Sequence, residues 1–292
     1  STASTGTKAI RPQLTLRLFV SMVCVNITGE LSRRYGRCSD MAISVRSVTA
    51  RDNPLLVRLR KISADPNAYR KLGEVWLEGE HLCTAVVQRG GAVPVAVIGE
   101  TAWQLPTLRA LANHAASVVI IPDALMSGLG TLDSPAPLGY VLPWSGSAVL
   151  RGNESTVVLD RLQDAGNVGT ILRSAAVFGF TQVIALKGTA ALWSPKVLRA
   201  GMGAHFGLNL IEGAIEDDLS ALTLPMLATS SHADRSIHDT ALPWPCTWVM
   251  GHEGQGVSHA LLTRCTMSLR IPQPGGEESL NVAAAAAVCL YE

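Results

Sequence analysis

Charge is scarce in this chain. Asp, Glu, Lys and Arg make up 16% of its 292 residues, and aromatic side chains only 5%. With 48% hydrophobic residues, a solvated disordered chain is excluded and a filled core is required. That core must be built mainly from Ala, Val, Leu and Ile. The net charge of +1 offers no sign of a nucleic-acid partner by itself. Cysteines number six, at positions 24, 38, 83, 246, 265 and 289, with no C-x-x-C pair and no Cys/His cluster at ligand spacing. This argues against a zinc site and a disulfide framework, and points to the reducing cytoplasm with no metal. A long apolar run is also missing. Leu14 to Val25 is interrupted by Arg17 and falls short of the ~20 residues that a bilayer requires, so no membrane partner is expected.

Common catalytic signatures are absent too. His252-Glu253 lacks the second histidine of a zinc-protease helix, and the glycines after it disfavour a helix. No phosphate-loop lysine pattern occurs. Gly201-Met202-Gly203 follows a helix rather than a strand, so it does not suit a dinucleotide turn. Ser279 has no nucleophile-elbow context.

What is present is alternation. The length suggests two domains. Residues 1–40 carry no regular pattern and are expected to be an extension or disordered segment, with the natural start at Met41. Asp52-Asn53-Pro54 signals a helix start. Strands are expected at 74–79, 93–99 and 117–122, with helices at 80–88 and 105–114, giving a small α/β domain over 41–144. The Gly/Pro/Ser-rich stretch 127–155 contains one strand-like piece, Gly139 to Leu142, and the boundary falls near Ser145–Asn153. Over 145–292, continuous apolar strands alternate with helices, the pattern of a parallel sheet covered on both faces. The helices include one at 167–180.

Charge divides along the same line. Arg46 to Lys71 holds seven basic residues against Asp52 and Asp65, whereas 151–292 has nine Lys/Arg against thirteen Asp/Glu. A basic front segment joined to an acidic body is consistent with an RNA- or DNA-contacting module ahead of a chemical domain. A solvated helix face is the plainer alternative.

Three glycine-bearing loops follow predicted strands and precede helices: Asp164 to Gly169, Gly251 to Gly256, and Pro274 to Ser279. Beyond the carboxyl ends of strands is where α/β sheets bind ligands. The third loop leads through Ser279-Leu280-Asn281 into an alanine run.

DAGNVGTILRSAAVFGF, WVMGHEGQGVS and IPQPGGEESLNVAAAAAV, in that order, resemble the three motifs of the SpoU/TrmH branch of the SPOUT RNA ribose methyltransferases. Residues 46–143 are more weakly similar to the ribosomal-protein-like substrate-binding domain that many members carry in front. The resemblance implies a trefoil-knotted domain, a homodimer, and S-adenosylmethionine bent among the knot loops. Alanines 283–287 suit a segment that threads closely through another.

The family's roles map onto this sequence as follows. Arg173 stands six residues after Asn167, where the family's arginine is essential for transfer. Guanidinium stays charged at ordinary pH, which favours phosphate positioning and alkoxide stabilisation over a role as base. Asn167 and Glu253 are polar site residues, with Glu253 holding a ribose hydroxyl or pairing with Arg173. Ser279 and Asn281 orient ribose and cofactor. Gly251, Gly256, Ile271, Pro272 and Leu280, with Glu253 and Ser279, lie where the family holds the cofactor. Asn167 and Asn281 could also be plain helix caps, and Glu253 a solvated turn carboxylate. Ala283 and Gly201 depart from serines common in the family, outside this polar set.

The expectation is therefore methyl transfer from S-adenosylmethionine to a ribose 2′-hydroxyl of structured RNA, with ribosomal RNA favoured over transfer RNA by the extra domain. Arg51, Arg58, Lys61 and Arg70 would dock the RNA backbone. The alternatives are a transfer-RNA ribose methyltransferase, a non-catalytic knotted assembly factor, and a base methyltransferase from another knot branch.

Overall fold

A computed structural model describes residues 43–130, 135–231, 233–275 and 280–292. The expectations for residues 1–40, the start at Met41 and Ser279 lie outside these residues. Two sheets organise the rest.

The front sheet comprises β1 (Ser44–Ser47), β2 (Glu74–Glu78), β3 (Val93–Gly99), β4 (Ala115–Ile121) and β5 (Leu138–Pro143). Its spatial order is β1-β4-β3-β5-β2. The first three of these run parallel, and β5 pairs antiparallel with both β3 and β2. Helices α1 (Pro54–Ala64), α2 (Ala68–Leu72), α3 (Glu80–Gln88), α4 (Glu100–Trp103), α5 (Pro106–Ala112) and α6 (Asp123–Met126) connect the strands. Asn53 starts α1 as its spacing predicts: its side chain accepts the Leu55 N–H at 3.0 Å, and Pro54 follows in the first turn. Leu55, Leu56, Leu59 and Ile62 of α1 pack on Trp76, Val97 and Val119, while α3 and α5 cover the opposite face. The strand-like piece at Gly139 to Leu142 is the inner strand β5. A Cβ on Gly139 would sit 2.2 Å from the Trp76 ring, so the glycine leaves room for that indole on the neighbouring strand.

The second sheet is parallel throughout, in the order β10-β12-β9-β11-β6-β7-β8. Its strands are β6 (Thr156–Leu159), β7 (Gln182–Leu186), β8 (Asn209–Ala214), β9 (Met226–Thr229), β10 (Arg235–Ser236), β11 (Thr247–Met250) and β12 (Met267–Arg270). Its helices are α7 (Ala165–Val177), α8 (Pro195–Gly201), α9 (His259–Arg264) and α10 (Val282–Tyr291). Alternate residues of β6 serve opposite cores. Val157 and Leu159 pack with α7, α8 and α10, whereas Val158 packs with Leu261 of α9. This is why the strand reads as continuously apolar. Helices α7 and α8 approach closely at Gly169, where a Cβ would lie 2.5 Å from Ala200 Cβ and 2.7 Å from the Val197 carbonyl oxygen.

Helix α7 begins two residues before the expected 167 and ends at Val177 rather than 180. Asp164, not Asn167, is the cap, accepting the Asn167 N–H at 2.8 Å. The left-handed Gly179 (φ 87°) closes the other end.

The two sheets are pinned together by Glu212 of β8, whose side chain is 6% exposed. It accepts Tyr69 Oη at 2.6 and 2.8 Å, the Arg70 guanidinium at 2.9 Å and the Leu192 N–H at 2.7 Å. Arg199 of α8 adds an ion pair to Glu78 at 3.8 Å, and Leu198 is buried within the front core. Among the described residues no helix is long and apolar enough to cross a membrane.

Candidate active site

The carboxyl ends of β6, β11 and β12 lead into the three motifs, and side chains of the first two loops interlock with Asn281 at the start of α10. Loop one leaves β6 at Asp160. This carboxylate is 1% exposed, and it accepts the Arg161 guanidinium at 2.8 and 3.3 Å and the Ser258 N–H at 2.7 Å. It ties the first loop to the end of the second. Arg161 stands in the left-handed region (φ 58°), a conformation costly for a residue with a Cβ unless its surroundings hold it. Nothing local marks Asp160, which lies inside the strand-like run STVVLDRL over 155–162.

The second loop turns back on itself. His252 and Gly256 exchange backbone hydrogen bonds at 3.0 and 2.8 Å, and Gly256 supplies the positive φ (68°) that the turn needs. His252 Nδ1 accepts the N–H groups of Gly254 (3.0 Å) and Gln255 (3.3 Å), so this histidine organises the loop from within. Gly251 is sterically obligatory. A Cβ there would meet Val257 N at 2.1 Å and Gly256 C at 2.2 Å, both backbone atoms.

Glu253, at the loop tip, reaches across to the first loop. Its carboxylate accepts Gln163 N–H at 3.2 Å, Asp164 N–H at 3.0 Å and Asn167 Nδ2–H at 3.3 Å. Partial burial would raise its pKa, but these bonds and one from its own backbone N–H outweigh it and hold the carboxyl below its ordinary value.

Asn281 joins from the third loop. Its Nδ2 donates to Asn167 Oδ1 at 3.1 Å, while its Oδ1 caps α10 by accepting the Ala283 and Ala284 N–H groups at 2.9 and 3.2 Å. Asn167, Glu253 and Asn281 thus form one hydrogen-bonded chain.

The remaining expected site residues fall around it. Arg173 is exposed two turns along α7, and no ion pair or side-chain hydrogen bond engages it among the described residues. Six residues of helix separate it from Asn167, roughly 9 Å along the axis. It does not pair with Glu253. Ile271 and Pro272 are half-buried, Gly251 is buried, and Gly256 is exposed. Leu280 is 43% exposed. In the front half, Arg51 and Lys61 are exposed, Arg58 forms an ion pair with Glu74 at 2.9 Å, and Arg70 is engaged by Glu212.

A family model described as the SpoU rRNA Methylase family matches residues 154–291. An uncharacterized tRNA/rRNA methyltransferase of Synechocystis is 30% identical over 270 residues, covering 88% of this chain and 95% of its own. The 23S rRNA (guanosine(2553)-2′-O)-methyltransferase RlmP of Bacillus subtilis is 28% identical over 220 residues, 74% of this chain and 86% of its own. The fold is shared with the AdoMet-bound rRNA methyltransferase of Sinorhizobium meliloti. That comparison has a TM-score of 0.73 at 24% identity and covers 85% of this chain and 96% of that one. A motif set drawn from three loops and a full-length relative at this identity agree: the chain belongs to the SpoU family of rRNA methylases.

Proposed function

We infer that this protein transfers a methyl group from S-adenosylmethionine to a ribose 2′-hydroxyl of ribosomal RNA. The observation that carries the reading is the Asn281–Asn167–Glu253 chain, which draws one residue from each motif to the carboxyl edge of a parallel sheet. The B. subtilis relative acts, by its name, on a guanosine 2′-oxygen of 23S rRNA.

The residues around this chain suit the cofactor. Ile271, Pro272 and Leu280 offer apolar surface beside glycine loops with accessible backbone, and Glu253 offers a carboxylate for a ribose hydroxyl. Ser279 completes the proposed set. When bound, S-adenosylmethionine supplies an electrophilic methyl on sulfonium. The protein's contribution is proximity and electrostatics. Asn167 and Asn281 orient polar groups of the substrate ribose, and Glu253 remains an ionised acceptor. Arg173, charged and free of internal partners among the described residues, holds a phosphate and stabilises negative charge developing on the 2′-oxygen. Arg51 and Lys61 dock the RNA backbone. Arg58 and Arg70, each paired with a carboxylate, are proposed for lesser parts in that docking.

We extend the reading to a homodimer and a trefoil knot. Val177 (70% exposed) and Tyr291 (68%), which packs edge-on to Phe178 at 5.7 Å, leave an apolar patch where α7 and α10 end. Ala283 and Ala286 are the buried small residues of α10. The proposed location is the cytoplasm.

The test is transfer of labelled methyl to in-vitro-transcribed large-subunit ribosomal RNA, followed by mapping of the product nucleotide. Arg173→Ala should lower kcat by roughly 10²–10³-fold. Equal activity in the two proteins would refute the role of Arg173.

A further inference from the structure

Between the two pinned sheets lies a cleft of about 530 Å³. The turn between α1 and α2 contributes Ser63 and Asn67, and the segment entering α8 contributes Thr189, Ser194 and Lys196. Gln163 also lines it, and the Gln163 backbone N–H is one of the donors holding Glu253. The cleft therefore adjoins the hydrogen-bonded chain of the active site while having walls from both halves of the protein.

Its chemistry is specific. Ser63 lines the cleft, and its hydroxyl oxygen, shielded from solvent, has no hydrogen-bond partner among the described residues. The Gln163 side chain is exposed, with no hydrogen bond of its own among the described residues. Lys196 is 66% exposed, and its ammonium lies 3.7 Å from the half-exposed Asp164 carboxylate. An ion pair that long and that wet holds the lysine only weakly. Neutral donors and acceptors suit base edges and sugar hydroxyls, and the Lys196 ammonium suits a phosphate. The volume lies within the ~300–1,000 Å³ of small-ligand sites.

We propose that this cleft receives the nucleotide adjacent to the methylated one, with Lys196 at its phosphate and Gln163 at its base or sugar. These two side chains then help to decide which RNA site is modified. The proposal rests on the ribose-methylation reading given above. It assigns to Glu212 the task of keeping the two walls of the cleft in register.

The experiment combines cross-linking with kinetics on the full chain. A 4-thiouridine placed immediately 5′ or 3′ of the methylated nucleotide should photo-cross-link to peptides containing Lys196, Gln163 or Asn67. Lys196→Ala and Gln163→Ala should each raise KM for RNA about three- to tenfold with kcat within about twofold. S-adenosylmethionine affinity should stay at the wild-type value. Lys196→Ala should also flatten the dependence of log K on log salt by about 0.7, the loss of one single-strand phosphate contact. Cross-links confined to other segments, or an unchanged KM in both variants of an active enzyme, would overturn the cleft assignment and leave the activity standing. A wild-type protein that methylates no ribosomal RNA would overturn the activity and the cleft assignment with it.

Discussion

Asn281 donates to Asn167 across 114 residues of chain, and with its other amide atom caps α10. One side chain thereby couples the start of α10 to the polar centre of the site. Asn167 in turn passes the contact to Glu253. The start of α10 and the orientation of the Glu253 carboxylate are set together.

The two duties of Asn281 can be separated. Asn281→Ala removes both and should cost about 1 kcal/mol of stability through the lost cap, together with cofactor affinity. Asn281→Ser keeps a capping oxygen but is too short to bridge to Asn167. It should melt close to wild type while binding S-adenosylmethionine as poorly as the alanine variant. Thermal melts and calorimetric titration decide it; equal cofactor affinity in wild type and Asn281→Ser would remove the bridge from the account.

For Glu253, burial pulls the pKa up, and the backbone bonds from its own N–H, Asp164 and Gln163, with the Asn167 side chain, pull it further down. The folded value is depressed, so the stabilisation is complete above the unfolded value and is lost as pH falls through the folded one. Asn167→Ala deletes one of the lowering bonds. The acid limb of cofactor binding should then move to higher pH, and in Glu253→Gln it should vanish along with most of the affinity. An acid limb at the same pH in wild type and Asn167→Ala counts against Glu253 as the titrating group.

Glu212 is expected to matter for stability more than any residue of the catalytic set. Glu212→Ala strands the Tyr69 hydroxyl and the Leu192 N–H in a buried junction and takes from Arg70 its carboxylate partner, leaving it the Asn67 amide oxygen, which should cost on the order of 3 kcal/mol. Tyr69→Phe removes one donor and should cost about half as much. Burial first, and then the neighbouring carboxylate, push the Tyr69 hydroxyl well above the usual tyrosine range, so it stays a proton donor at every working pH. Denaturant melts of the two single variants and the double variant measure the coupling. Additive losses would show that the two residues act independently.

His205 should make the protein acid-sensitive. It is fully buried, its Nε2 donates to the Leu192 carbonyl at 2.8 Å, and Nδ1 has no hydrogen-bond partner among the described residues. Burial lowers its pKa from 6.5 to about 4, against a smaller upward pull from Leu192. The folded state resists a proton that the unfolded chain accepts. Stability is therefore full above about pH 6.5 and falls by roughly 3 kcal/mol as pH drops towards 4. Melting temperatures between pH 7.5 and 4.5 should drop less steeply in His205→Gln than in wild type. Parallel slopes would assign the acid sensitivity elsewhere.

The sequence by itself determined what local rules govern. Asn53-Pro54 started a helix, uninterrupted apolar runs such as TVVL and TWVM became buried parallel strands, and the order of three loop motifs identified the family. Each of these signals is contained within a few neighbouring residues. Tertiary structure decided the rest, because the partners lie far apart in sequence. Nothing near Glu212 announces that Tyr69 and Arg70 will donate to it, and nothing near Asp160 announces Ser258. Asn167 looked like a cap, but Asp164 three residues earlier took that place and freed the Asn167 side chain to link Glu253 with Asn281. Gly139 to Leu142 read as strand-like, but nothing near Gly139 announced that Trp76, on the paired strand, would supply the bulk that only a glycine accommodates. Arg58, read as a hand for RNA, was found holding Glu74. Periodicity records which face a residue turns to the core; which distant group it meets there is settled only when the sheets close.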